Sequence, residues 1–114
     1  MNDMRIWTAL AAFAVGFIFS SGGAVGSEKG KTAYMKFGCW QCHGTVGQGG
    51  LAGLKLAPDP IPYDKFAAFV RTTNRAMPPY RESVLSNDDL TEIYAYLEAI
   101  PSTPNYKSIP LLNQ

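Results

Sequence analysis

The pentapeptide Cys39-Trp40-Gln41-Cys42-His43 contains both cysteines and the single histidine of a 114-residue chain. Any chemistry that needs a thiol or an imidazole must therefore be done within one short stretch of backbone. Two residues between the cysteines put both thiols on one side of a helical turn, and C-x-x-C-H is the spacing of covalent haem attachment. Each thiol can add to one vinyl group of the porphyrin as a thioether. The adjacent His43 then falls under the iron as its proximal axial ligand, and the other ring nitrogen needs an acceptor to fix its orientation.

Three other uses of these residues fit less well. A disulfide between Cys39 and Cys42 would close a very small loop, with poor geometry and little entropic gain. A thioredoxin-like redox pair needs strand and helix units around it, and the chain shows no alternating apolar pattern. A structural zinc ion needs a fourth ligand, which only a carboxylate could supply here.

Ten basic and nine acidic side chains give a formal net charge of +1, and 46% of the residues are apolar. Such a chain has room for one small domain, which excludes large multidomain enzymes. It lacks the basic excess that phosphate neutralisation demands, so nucleic acid is not an expected partner. Residues 1–26 read as an export signal: Arg5 precedes an apolar run over 6–19, and Ala24-Val25-Gly26 places small side chains where a signal peptidase reads. Cleavage is expected after Gly26, with a periplasmic mature protein and no stable membrane anchor. As a helix the apolar run rises only ~21 Å, short of the ~30 Å hydrocarbon core. A core as small as the remaining chain can build supplies only ~3–5 kcal/mol of net stability by itself. A large apolar group at its centre would meet that deficit.

The sixth iron position needs a second ligand. Met1 and Met4 leave with the signal, and Met35 sits in the helical stretch just before Cys39. Met77 remains, far enough along the chain to reach the opposite haem face. It stands in Arg75-Ala76-Met77-Pro78-Pro79-Tyr80, where two prolines restrict the backbone to an extended path. His/Met ligation raises the reduction potential and leaves no open position. The expected role is therefore single-electron transfer by a carrier that is not itself an enzyme. The competing classes are a small haem peroxidase with a labile sixth ligand and a thiol-disulfide oxidoreductase.

The surrounding pattern is helical. Gly30, Ala33, Tyr34 and Phe37 share one helix face, which Gly38 can end just before the pentapeptide. Residues 44–62 are rich in glycine and proline and read as a wrapping loop. Phe66, Phe69 and Val70 mark a short amphipathic helix over 63–71. Ser86 and Asp89 read as a capping box, followed by the apolar stripe Leu90, Ile93, Tyr94, Leu97 and Ile100 until Pro101 stops the helix.

Over residues 28–100 the chain resembles the class I c-type cytochromes. The resemblance rests on the pentapeptide, on Gly30 and Tyr34, on Met77-Pro78-Pro79-Tyr80, and on the stretch from Leu85 to Leu97. It implies an all-α fold of three to four helices around one covalently attached haem c, with the N- and C-terminal helices crossing at Gly30, near Ile93 and Tyr96. The domain would span 27–100, followed by an extended tail over 101–114. Many relatives carry Gly-Pro in the loop, with the proline carbonyl accepting from the proximal imidazole. Here the pair is Gly53-Leu54, so the acceptor role passes to the Leu54 carbonyl, with Pro58 as the alternative. The closing stretch is similar to short cytochromes that serve periplasmic dehydrogenases, which implies redox protein partners: a dehydrogenase donor and a downstream oxidase or carrier. Lys31, Lys36, Arg71, Arg75 and Arg81 read as solvated surface or as a ring steering an acidic partner, and Arg75 or Arg81 as a contact for a haem propionate. The apolar tail segment Ile109-Pro110-Leu111-Leu112 is fit to lie on its own domain or on a partner.

Overall fold

Helix α1 (Gly22–Lys36) and helix α4 (Asn87–Glu98) pack directly on each other, and Gly30 is what lets them approach. A Cβ built at Gly30 would overlap the Glu92 carbonyl oxygen and come within 2.7 Å of the Glu92 carbonyl carbon and the Tyr96 Cβ. Backbone therefore meets backbone across the crossing, a contact only glycine permits. The computed structural model describes residues 22–112, and its other helices are α2 (Trp40–His43) and α3 (Tyr63–Thr72). The fold is all-α, a small domain of four helices with the N- and C-terminal helices in contact.

The apolar run read as an export signal lies outside the described residues. Helix α1 begins at Gly22, so the cleavage point assigned after Gly26 falls within it. Its far end is closed by two reversed bonds, Cys39 N to Tyr34 O at 3.2 Å and Gly38 N to Met35 O at 3.2 Å, with Gly38 at φ +76°. This double bond around a left-handed glycine turns the chain sharply and satisfies carbonyls that the helix end would leave unpaired. Cys39 then caps α2.

Helix α4 starts where the capping pattern says it should, with Ser86 Oγ accepting from Asp89 N at 3.0 Å. Asp88 and Asp89 in its first turn complement the positive end of the helix dipole. Its buried face is Leu90, Ile93, Tyr96 and Leu97, so Tyr96 joins the stripe, whereas Ile100 lies beyond the last helical residue and is only half-buried. With Ala33, Tyr34, Phe66, Val70 and Leu85 this face forms the core. Beyond α4 the tail is described over residues 101–112. It contains two single turns of 3₁₀ helix, Tyr106–Ser108 and Pro110–Leu112, the first of them fixed by the Asn105 side chain accepting from Lys107 N at 3.0 Å. No helix among the described residues is long and apolar enough to cross a membrane.

The helix crossing yields a direct test. Alanine at position 30 raises intrinsic helix propensity by about 1 kcal/mol, yet its Cβ must displace main chain of α4, and overpacking of that kind costs roughly 1–3 kcal/mol beyond any gain. We expect Gly30→Ala to lower the denaturant midpoint of the holoprotein; an unchanged or raised midpoint would show that the helices can separate at little cost.

Candidate haem-binding site

The turn at Gly38 delivers Cys39 into α2, and Gly44 at φ +78° ends that helix immediately after His43. The loop over residues 44–62 then folds back beneath the imidazole. His43 Nδ1 lies 2.7 Å from the Leu54 carbonyl oxygen. A carbonyl can only accept, so the proton sits on Nδ1 and the lone pair of Nε2 is left free for a metal. Pro58, the alternative acceptor, takes no part in this contact. The neighbour Gly53 makes it sterically feasible: a Cβ there would stand 2.6 Å from the Cys42 carbonyl oxygen and 2.9 Å from His43 Nδ1.

His43, Cys39, Cys42, Leu54 and Met77 all line one cavity of about 500 Å³, a volume in the range of cofactor pockets. Its walls are apolar, with Phe66, Phe69 and Val70 from α3 on one side and Pro78 and Tyr80 beside Met77. Leu54 and Phe69 remain 82% and 47% exposed although they border this space, so a flat apolar body would cover surface that the polypeptide alone leaves to water. Two cysteine sulfurs and an imidazole of defined tautomer around one apolar cavity fit a covalent haem, and the Met77 side chain borders the same cavity.

The competing chemistries find less support in the same geometry. No disulfide joins Cys39 and Cys42, which leaves both sulfurs available for thioether bonds. Among the described residues no group of three or more His, Cys, Asp or Glu side chains is placed to hold a metal ion.

Polar ties from elsewhere in the chain hold this site, and helix periodicity gave no sign of them. Tyr34 donates its hydroxyl to Gly44 O at 2.7 Å, and Tyr96 donates to Thr45 O at 2.9 Å, so two core tyrosines fasten the backbone just after His43. Arg71 is a correction. It is not part of a solvated or partner-steering ring but a half-buried side chain turned inward, with Nη1 on Tyr80 O and Leu85 O and Nη2 on Asn87 Oδ1. Arg75 does line the cavity, together with Lys55 and Asp59.

Residues 27–97, more than half of the chain, match the family described as cytochrome c oxidase, cbb3-type, subunit III. The chain belongs to this cytochrome c family. Comparison with curated proteins and with solved structures gives no match. As a class I c-type cytochrome, the protein carries one covalent haem c on Cys39 and Cys42. Domains of this family are typically monohaem electron carriers rather than enzymes, and redox proteins are their typical partners.

The tyrosine ties make stability pH-dependent. Burial raises both phenols above the ordinary value of 10.0, for Tyr34 helped by the nearby Tyr96, for Tyr96 helped by Glu28. An acid whose folded pKa is raised stabilises the fold fully below its unfolded pKa and loses that contribution as pH rises through the folded one. We expect the denaturant midpoint of the cytochrome to fall above about pH 10, and Tyr34→Phe to be less stable at pH 8 but to show a shallower alkaline fall. Parallel pH profiles for wild type and variant would exclude the phenol as the cause.

Proposed function

We propose that this cytochrome passes single electrons between exported redox proteins, and that His43 and Met77 are the side chains that would hold its haem iron. The carrying observation is that both side chains border the same apolar cavity, with His43 Nδ1 already engaged by Leu54. Bound there, the haem supplies a one-electron iron couple. The Leu54 carbonyl keeps the proton on Nδ1, which makes Nε2 a better donor and fixes the ring plane. A soft thioether from Met77 favours the reduced iron and so raises the potential. Pro78 and Pro79 stiffen the backbone behind that sulfur, and Phe66, Phe69 and Val70 of α3 give the same cavity apolar walls.

The leader over residues 1–26, with Arg5 before an apolar run and small residues at its end, supports export to the periplasm. We infer a dehydrogenase as electron donor and an oxidase or second carrier as acceptor. The first rests on the likeness of the stretch from Leu85 to Leu97 to dehydrogenase-serving cytochromes. The second is in keeping with the oxidase named in the family's description. Tyr106, Leu111 and Leu112, exposed on the tail, offer apolar surface for a bound rather than a freely diffusing association. Purification of the native protein with its bound neighbours, followed by their identification, tests this assignment; recovery without any dehydrogenase contradicts it.

The ligand assignments separate by mutation. His43→Ala is expected to yield little mature holoprotein. Met77→Ala should retain covalent haem, lose the weak long-wavelength band of ferric iron–sulfur ligation, bind cyanide rapidly, and show a potential lower by on the order of 0.1 V, within the ~0.8 V range that axial ligands command. A wild-type spectrum in Met77→Ala rejects that ligand. Native ferric protein that lacks the band and takes up peroxide at once would instead favour the peroxidase.

A further inference from the structure

Tyr80, three residues beyond Met77, has all of its polar groups committed. Its backbone N–H donates to Val70 O at 2.9 Å, its carbonyl accepts from Arg71 Nη1 at 2.8 Å, and its hydroxyl donates to Phe37 O at 2.8 Å. These bonds run to two different places: the end of α3 and the turn that leads into Cys39. Arg71, in the last turn of α3, reaches further. Nη1 also donates to Leu85 O at 2.7 Å, and Nη2 donates to Asn87 Oδ1 at 2.8 Å, whose amide in turn donates to Glu82 Oε1 at 2.7 Å. The three acceptors of the guanidinium are uncharged, two of them main-chain carbonyls. Its charge is thus spent on holding backbone, through bonds stronger than those between neutral groups.

We propose that Arg71 and Tyr80 are positioning residues that set how firmly Met77 holds the haem iron, an inference that rests on the Met77 ligation proposed above. Between the sulfur-bearing residue and Tyr80 stand only Pro78 and Pro79. Each has φ fixed by its ring and neither has an N–H to make a bond of its own. The short link is therefore stiff but unanchored, and its place is set by what holds Tyr80. Loosening Tyr80 lets the sulfur drift, whereas anchored at three points it returns the thioether to the same spot after each excursion. The ring of Tyr80 also borders the cavity beside Met77, so hydroxyl and ring act at the same wall.

The test is the rate at which excess imidazole displaces the sixth ligand of ferric holoprotein, followed by loss of the long-wavelength band. Tyr80→Phe, which keeps the ring and removes one anchor, should be displaced roughly tenfold faster than wild type, and Arg71→Met faster still, by up to about a hundredfold. Arg71→Lys, with a single ammonium that cannot span the same acceptors, should fall between Arg71→Met and wild type. Gly30→Ala, which weakens the fold at the α1–α4 crossing away from Tyr80, serves as the control and should stay near the wild-type rate. Wild-type rates in Tyr80→Phe and Arg71→Met overturn the proposal, as does a Gly30→Ala rate that matches theirs at equal loss of global stability. If Arg71→Met gives no holoprotein, Tyr80→Phe decides. A band that survives Met77→Ala defeats the ligation reading itself and takes this inference with it; a band that Met77→Ala abolishes while Tyr80→Phe and Arg71→Met exchange normally defeats this inference alone.

Discussion

The hydrogen bond between His43 Nδ1 and the Leu54 carbonyl does three jobs at once. It fixes the tautomer, it orients the ring, and it closes the loop over residues 44–62 beneath α2. A loop without regular structure must find other partners for its backbone, and this one finds them close by: Gly49 N bonds His43 O, Gly50 N bonds Gly53 O, and Leu56 N and Ala57 N both bond Gly47 O. The positive φ at Gly47 and Gly49 is what allows the chain to bend tightly enough to make those bonds. Flexible residues thus produce a well-defined path, because each turn they permit is then secured.

The two sides of the cavity are held by different means. On the His43 side the work is done by main chain and by hydroxyls from α1 and α4, so that the helix crossing and the ligand loop form one connected unit. On the Met77 side the chain has no helix of its own between α3 and α4, and a guanidinium with a tyrosine takes the place of secondary structure. A charged donor suits that task. Arg71 can satisfy several carbonyls at once where a neutral side chain could satisfy one or two, and its half-buried position limits the competition from water.

Local signals in the sequence carried most of the fold. Ser86 and Asp89 marked the start of α4, the glycine-proline composition marked the loop, and the spacing of Phe66 and Val70 marked α3 almost to the residue. Gly30 was legible only because a glycine within a helix face needs a reason, and close approach supplies one. Cys39, Cys42 and His43 were singled out by type and spacing and Met77 by its place before two prolines, whereas Leu54 was reached through a likeness rather than through any property of leucine, since the atom that meets His43 is a backbone oxygen; all five border one cavity. What could not be read were bonds between groups distant in the chain. Arg71 looks like any basic residue ending a helix, and nothing adjacent to Tyr34 or Tyr96 reveals that their hydroxyls reach Gly44 and Thr45. Such bonds depend on the final placement of helices, and sequence periodicity records only which face a residue is on.

Among the described helices, α1 and α4 are the pair with extensive direct contact. Their interface buries Ala33, Tyr34, Ile93 and Leu97. Helix α3 adds Phe66 and Val70 to the same core, and these two, with Phe69, Tyr34 and Ile93, also border the cavity. The core between the helices is therefore continuous with the wall of the space between α3, Met77 and His43, and an occupant of that space would pack on both. An apolar prosthetic group there would add buried area to a small core. The same contacts serve the redox role, since walls that stabilise the fold by excluding water also keep the iron in surroundings of low polarity that change little between its two charge states. Stability and electron transfer then draw on one set of residues, which is why so small a chain can do both.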